Sequence, residues 1–456
     1  MQQTIVKPWS PQTWRNFPIK QLPDYPDREL LEKCYDELKM YPPLVSSWEI
    51  EGLKEQLSKA EMGKAFLLQG GDCAETFADC NSPHIVKLLK VLLQMSFIML
   101  HEMHIGVIRV GRIAGQYAKP RSSNTEQVGS DKYPVYRGDI TNSFEFDELG
   151  RNPDPKRLIE AYHKAGLTLN FIRALTEGGG FADLNHPEYW ELDFMRENEY
   201  YNEYESMVKS ITNAIKFMEG ILPSELTTLK HVEFFISHEA LNLYYDSAQT
   251  RKVPHKTGYY NLSTHMPWIG NRTRAIDEAH VEYCRGIENP VGIKVGPPYD
   301  IKELIEVIKT INPKNESGKI TLITRFGQEN VAKELPSVIE SIHQENLNVL
   351  WSCDPMHGNT FATTDGIKTR DFNAILSDIK QTFAVHRDLK TNLGGVHLEM
   401  TGEEVTECVG GANGLEENGL KRNYRSFCDP RLNYEQSLEM AFLISKEWKI
   451  SKDSGV

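Results

Sequence analysis

The chain has 456 residues, 40% hydrophobic and 25% charged, with 51 Lys and Arg against 64 Asp and Glu for a formal net charge of −13. That composition excludes a disordered chain, a collagen-like repeat and a disulfide-stapled mini-domain, and the acidic balance argues against a nucleic-acid binder. Any anionic ligand must be held by a local cationic pocket working against the global field.

Residues 1–60 open on Pro8, Pro11, Pro18, Pro23 and Pro26 and continue into a helix-like segment over 28–40. They precede the first strand signal and read as a helical N-terminal extension. The first fifteen residues lack a long apolar core and a small-residue cleavage site, so no signal peptide is expected. From 61 to 456 the chain repeats a short apolar run followed at once by polar or charged residues. The runs are 65–68, 107–110, 232–236, 260–262, 291–295, 320–323, 349–351 and 395–398, the 260–262 run being the weakest. Most are too short for helices and rich in β-branched or aromatic residues, as buried strands are. Helix-like segments 83–101, 301–310, 331–343 and 371–387 lie between several of them. Eight alternating units predict an α/β fold, a (β/α)8 TIM barrel.

The most apolar stretch, 85–100, is interrupted by Lys87, Lys90 and Gln94 and falls short of the ~20 residues that span a bilayer, so it reads as a buried helix with no membrane role. Between the second and third runs, at about 150–225, lies an insertion with two amphipathic helices, 155–176 and 203–222. In the second, Tyr204, Met207, Val208, Ile211, Ile215, Met218 and Leu222 form one stripe. It either packs on the barrel wall or presents an oligomer or regulator surface. Seven cysteines at irregular spacing, none in a CxxC pair, read as reduced cytosolic thiols.

In such a barrel, chemistry collects at the C-terminal ends of the strands. Those ends carry Asp72, Cys73 and Glu75; Arg109, Arg112, Lys119, Arg121 and Ser122; His238 and Glu239; His265, Trp268, Asn271, Arg272 and Arg274; Lys294; Arg325; Asp354 and His357; and His397 and Glu399, with Cys428, Asp429 and Arg431 beyond. Two chemistries emerge. Arg112, Lys119, Arg121, Arg272, Lys294 and Arg325 would converge on one mouth. A single such Arg is more often a surface ion pair; six at equivalent strand ends point to a multiply charged anion held by phosphate or carboxylate contacts. Cys73, His357, Glu399 and Asp429 would bring together a soft sulfur, an imidazole and two carboxylates. That set suits divalent Mn, Co, Fe or Zn without choosing among them. Their separation is not a metal motif, and each alone also reads as structure, the Cys as a small buried hydrophobe and the His as a hydrogen-bonded ring.

The strings LLQGGDCAE, RVGRIAGQYAKPRS, YRGD, SHEAL, WIGNRTR, GIENPVGIKVGP, CDPMHGNT, GVHLEMTGEEVTEC and CDPRLN resemble those of the type II (plant and bacterial) 3-deoxy-D-arabino-heptulosonate 7-phosphate (DAHP) synthases. They extend over 67–433. The resemblance implies a (β/α)8 barrel that condenses phosphoenolpyruvate with erythrose 4-phosphate and water to DAHP and phosphate, the opening step of the shikimate pathway to chorismate and the aromatic amino acids. It places Cys73, His357, Glu399 and Asp429 at the metal-ligand positions, with Mn2+ or Co2+ foremost and Zn2+ or Fe2+ as alternatives. Arg112, Lys119, Asn271, Arg272, Lys294 and Arg325 fall at the phosphoenolpyruvate site, and Arg121 and Ser122 at the erythrose 4-phosphate site. Either Lys119 or His357 is expected to move the proton.

One position departs: the residue before Arg272 is commonly acidic in the family, as in WIGERTR or WIGDRTR, and here it is Asn271. The resemblance also suggests that oxidation pairs Cys73 with Cys428 and expels the metal. It further suggests that the extension and the insertion form subunit contacts, in a homodimer or homotetramer, and an aromatic amino-acid effector site. Plant relatives carry transit peptides and none is seen here, so a bacterial cytoplasm is expected. Two rival readings are a phosphoenolpyruvate aldol synthase taking another aldose phosphate, which the Lys119-Pro-Arg121-Ser122 string and the Cys ligand disfavour, and a catalytically silent metabolite-sensing relative.

Overall fold

A computed structural model describes residues 8–177, 201–221 and 232–453. Eight parallel strands close into a barrel in chain order: β1 (Ala65–Gly71), β2 (Gly106–Arg112), β3 (Phe235–Glu239), β4 (Met266–Ile269), β5 (Val291–Val295), β6 (Ile320–Thr324), β7 (Leu350–Cys353) and β8 (Leu393–Glu399), with β8 returning to β1. The (β/α)8 expectation is borne out. Seven of the eight predicted runs lie on barrel strands. The exception is 260–262: Tyr259–Asn261 instead pairs antiparallel with Thr250–Lys252, and the fourth strand is Met266–Ile269. Pro267 hides that strand from a sequence reading, because a residue without an N–H ordinarily marks a break or an edge.

Helices fill the intervals. Helix α1 (Arg28–Met40) starts at Asp27, whose side chain accepts from Leu30 N, and α2 (Ser47–Glu61) starts at a Ser46/Glu49 capping box. Leu53, Leu57 and Ala60 of α2 pack with Leu67, Val110, Phe235, Met266 and Leu350, closing the N-terminal end of the barrel with an apolar plug. Helix α3 (Ser82–Met103) is long and apolar enough to cross a membrane by length and composition, yet 72% of its most apolar window is buried inside the protein against β2 and the last helix, Tyr434–Asp453. Three amphipathic helices, Ile301–Ile311, Val331–Gln344 and Phe372–Asp388, cover the later strands, two of them begun by Asp300 and Asp371 caps.

In the insertion, Lys156–Glu177 buries Leu158, Ala161, Ala165, Leu169 and Ile172, and Tyr201–Ile221 buries Met207 with Val208 partly covered. The other stripe residues, Tyr204, Ile211, Ile215, Met218 and Leu222, lie outside the described side chains.

Register positions the mouth. Gly71 pairs with Arg112 on one side and Glu399 on the other, so the last layer of β1 carries no side chain between them. Its φ is +143°, and a Cβ there would stand 2.7 Å from the Arg112 carbonyl oxygen. Gly292 does the same for Trp268, its neighbour on β4.

A sharper demand falls on Gly138, at φ +98° with a Cβ position only 2.0 Å from the Tyr117 oxygen, whereas Gly129, at φ +62°, faces open space. Gly129→Ala is expected to cost only the left-handed backbone penalty of about 1 kcal/mol in denaturant unfolding, and Gly138→Ala clearly more, about 3 kcal/mol or above.

Candidate active site

A cavity of about 860 Å³ opens at the C-terminal end of the strands. All six sequence-predicted cations, Arg112, Lys119, Arg121, Arg272, Lys294 and Arg325, line it, together with Ser122, Asn271, Cys73, His357, Cys428 and Asp429. Its lining holds seven Lys and Arg against three acids, the reverse of the whole chain's balance. The pocket is thus a local positive well of a size suited to small ligands.

At its inner end the Cys73, Glu399 and Asp429 ligand atoms lie within 4.8 Å of one another, all three residues buried. His357 stands just outside that triangle, with Nε2 3.1 Å from Glu399 Oε1. Its Nδ1 is 2.8 Å from Asp354 Oδ2, so the ring is oriented by one carboxylate while its other nitrogen faces the cluster. Carboxylate-oriented imidazoles of this kind are common among metal ligands.

Burial favours the neutral form of Glu399, but the charges of His357, Lys119, Arg370 and Arg112 hold it well below the usual carboxylate range. Burial and the Cys428 and Glu399 neighbours push the Cys73 thiol well up. Lys119 bridges the cluster: Nζ is 2.5 Å from Cys73 Sγ and ion-pairs with Asp429, whose other oxygen pairs with Lys368. Burial opposes the Lys119 ammonium, but Asp429, Cys73 and Glu399 raise it well above the ordinary lysine range.

The donor set fits a divalent cation on one further observation. Glu399 Oε2 is buried with no hydrogen-bond partner; Arg370 Nη2 is 2.8 Å away but misaligned, and is itself unpartnered. An acceptor so placed, beside a thiol that burial keeps protonated, gains from a nearby cation.

The cations are held rather than loose. Arg112 donates to the Asp72 and Cys73 carbonyls at 3.0 and 3.1 Å, to Glu399 Oε1 at 3.0 Å and to His397 Nε2 at 2.7 Å. His397 Nε2 is therefore an acceptor, and its Nδ1–H donates to Gln69 Oε1 at 2.8 Å. Lys294 Nζ pairs with Asp354 Oδ2 at 2.9 Å, and Arg325 Nη2 donates to the His357 carbonyl at 2.9 Å. Trp268 lies beneath two of them, its ring centroid 5.3 Å from the Arg112 guanidinium and 5.9 Å from Lys294 Nζ. Arg272 Nη2 donates to Ser122 Oγ at 3.0 Å, joining the two predicted substrate subsites. Asn271 Oδ1 accepts from Arg274 Nε and Gly296 N, each at 3.2 Å. Arg109, in contrast, points away from the mouth to Ser96 Oγ at 2.6 Å.

Sequence reasoning passed over Lys368 and Arg370, which reach Asp429 and Glu399 from the hairpin of Thr360–Ala362 and Lys368–Arg370. Their i, i+2 spacing was the available signal, since it puts both on one face of a strand. Glu75 was noted without a role. Its carboxylate accepts from the backbone N–H groups of Ala114, Gly115 and Gln116 at 2.9, 2.9 and 2.7 Å, fixing the loop that leads to Lys119.

Fold and site together define a barrel enzyme for anionic substrates. The chain belongs to the class-II DAHP synthetase family, which it matches over residues 9–445. It is similar to the phospho-2-dehydro-3-deoxyheptonate aldolase of Neurospora crassa, 47% identical over 457 residues covering 97% of this chain and 94% of that protein. It is also similar to the protein of the same name from Streptomyces coelicolor, 44% identical over 447 residues covering 97% and 98%.

Behind the Cys73 loop, His84 Nε2 is 2.9 Å from Asp72 Oδ2. Burial favours the neutral ring, yet Asp72 overrides it and raises the imidazole to about 9 from 6.5. The imidazolium's contribution is therefore fully present below about pH 6.5 and lost as pH rises through about 9. Denaturant titrations from about pH 6 to about pH 10 are expected to show a fall of up to about 3 kcal/mol from this pair, missing from His84→Gln.

Proposed function

We propose that this mouth is where the family's reaction takes place: phosphoenolpyruvate condenses with erythrose 4-phosphate and water to give DAHP and phosphate. The observation that carries the assignment is one cavity lined by seven cations, with the Cys73, Glu399 and Asp429 donors clustered at its base. Arg112, Lys119, Asn271, Arg272, Lys294 and Arg325 bind phosphoenolpyruvate, whose carboxylate and phosphate repel each other unless fixed cations screen them. Arg121 and Ser122 take the phosphate of the aldose, and the Arg272–Ser122 contact keeps the two substrates adjacent. Cys73, His357, Glu399 and Asp429 would hold the divalent metal, Mn2+ or Co2+ before Zn2+ or Fe2+, and when bound it would supply Lewis acidity toward the aldehyde oxygen. The enol carbon attacks that aldehyde carbon, water adds at C2, and phosphate departs. Lys119, held as the ammonium by Asp429, would give the proton to the nascent alkoxide, with His357 as the alternative.

Further parts of the reading have their own support. The free thiols of Cys73 and Cys428 line the same cavity, which supports a disulfide formed by loss of two electrons and two protons to a disulfide or peroxide oxidant. Interaction with Cys73 lowers the Cys428 thiol to about 7 against burial, which raises it, and leaves it the more acidic of the two. The exposed Met40 and Trp48, at 83% and 73%, support residues 1–60 as an extension at a dimer or tetramer interface, with the barrel and its insertion as the catalytic unit. A cavity of about 270 Å³ beside Trp14, Phe17 and Tyr244, with Arg28 and Asp24 at its edge, supports an aromatic amino-acid effector. The seven unpaired cysteines support a cytoplasmic setting.

Phosphate release from phosphoenolpyruvate is expected to require both a divalent metal and erythrose 4-phosphate, and to be abolished by Cys73→Ser or His357→Ala. Release without the aldose would refute the assignment. Because a carboxylate can accept the same two hydrogen bonds as Asn271 Oδ1, Asn271→Glu is expected to keep kcat within about tenfold of the parent in steady-state assays.

A further inference from the structure

We infer that Asp72, Arg431 and Glu407 form a charged clamp that holds the Cys73 and Asp429 ligand atoms in register, making Asp72 and Arg431 positioning residues for the metal centre. The inference rests on the metal-site reading above.

Cys73 and Asp429 lie 356 positions apart, and the segments that carry them meet only through the end of β8, where Met400 N donates to Gly71 O at 2.9 Å and Leu432 N to Glu399 O at 3.0 Å. The loop 425–431 is irregular, so its backbone donors need partners from elsewhere. One buried carboxylate supplies them. Glu407 Oε1 accepts from Arg425 N at 3.2 Å and Ser426 N at 2.9 Å, and Oε2 accepts from Arg431 N at 2.8 Å, which gathers both ends of the loop onto a single side chain. Ser426 Oγ donates to the Asp429 carbonyl at 2.6 Å inside it.

Arg431 then extends the connection across the fold. Its Nε and Nη2 donate to Glu407 at 3.0 and 2.8 Å, while Nη1 donates to Asp72 Oδ1 at 2.5 Å. Asp72 immediately precedes Cys73, and Arg431 follows Asp429 by two residues. A planar guanidinium with its donors in a fixed fork defines both distance and angle between two carboxylates. Asp72 and Glu407 are fully buried, so neither charge has water as an alternative partner. None of the three residues lines the substrate cavity. Their loss should therefore move the metal ligands and leave the anion pocket in place, which a merely structural role would not separate.

The test titrates the full-length chain with Co2+, following near-ultraviolet thiolate-to-cobalt absorption, and measures phosphoenolpyruvate affinity in parallel. A parent protein without that absorption would overturn the metal-site reading, and the clamp with it. With the band present in the parent, Asp72→Asn and Arg431→Met are each expected to weaken Co2+ binding about tenfold, as outer-shell partners of ligands do. Phosphoenolpyruvate affinity should stay within about twofold, and the double variant should lose no more than the worse single one, since both remove one connection. Arg431→Lys should recover part of the loss, and the isosteric Asp72→Asn keeps the test open if Arg431→Met does not fold. Co2+ affinities within about twofold of the parent, losses that add in the double variant, or a parallel fall in phosphoenolpyruvate affinity would each overturn the clamp.

Discussion

An ionised Glu399 buried at the mouth of the barrel is the constraint on which the surrounding geometry depends. Removing a carboxylate from water costs several kcal/mol unless charges and hydrogen bonds replace the solvent. Here the replacements arrive from three directions: Arg112 from β2 at 3.0 Å, His357 from the loop after β7 at 3.1 Å and Arg370 from the adjoining hairpin at 2.8 Å. Arg112 lies far in sequence from the other two, so only the closed barrel can supply all three together. Their combined positive charge exceeds what one carboxylate neutralises. The excess, extended by Lys294 and Arg325, is the field that an incoming phosphate or carboxylate meets in a chain that is acidic as a whole.

How much of this can be read from the sequence follows from the range of each interaction. Strands such as Val291–Val295 and helices such as Arg28–Met40 are written locally, in apolar runs, caps and 3.6-residue stripes, and the structure agrees with those readings nearly residue for residue. The convergence of six cations follows from one rule, that strand ends share a face, and needs no contact information. Met266–Ile269 stayed hidden because Pro267 carries a local signal that tertiary pairing overrides. Lys368 and Arg370 stayed hidden because they sit on a hairpin rather than at a strand end. Pairing of charges is the least legible level: Arg431, one of the two charged partners of Asp72, is 359 positions away, and nothing near either residue names the other.

The two ends of the barrel divide the physical work. At the closed end, Leu53, Leu57 and Ala60 of α2 press an apolar surface onto Leu67, Val110, Phe235 and Met266, burial that stabilises whatever the ligand state. At the open end, Arg112, Lys119 and Lys294 are paired with Glu399, Asp429 and Asp354, while Arg272 and Arg325 donate to a hydroxyl and a carbonyl and so keep their charge for an incoming anion. Those pairs help to stabilise the mouth, since neutralising one partner leaves a buried charge uncompensated, whereas a neutral replacement of Arg272 or Arg325 would remove binding charge without orphaning a carboxylate. The apolar plug and the charged mouth are therefore linked: burial at one end lets the other keep more positive charge than its own carboxylates neutralise.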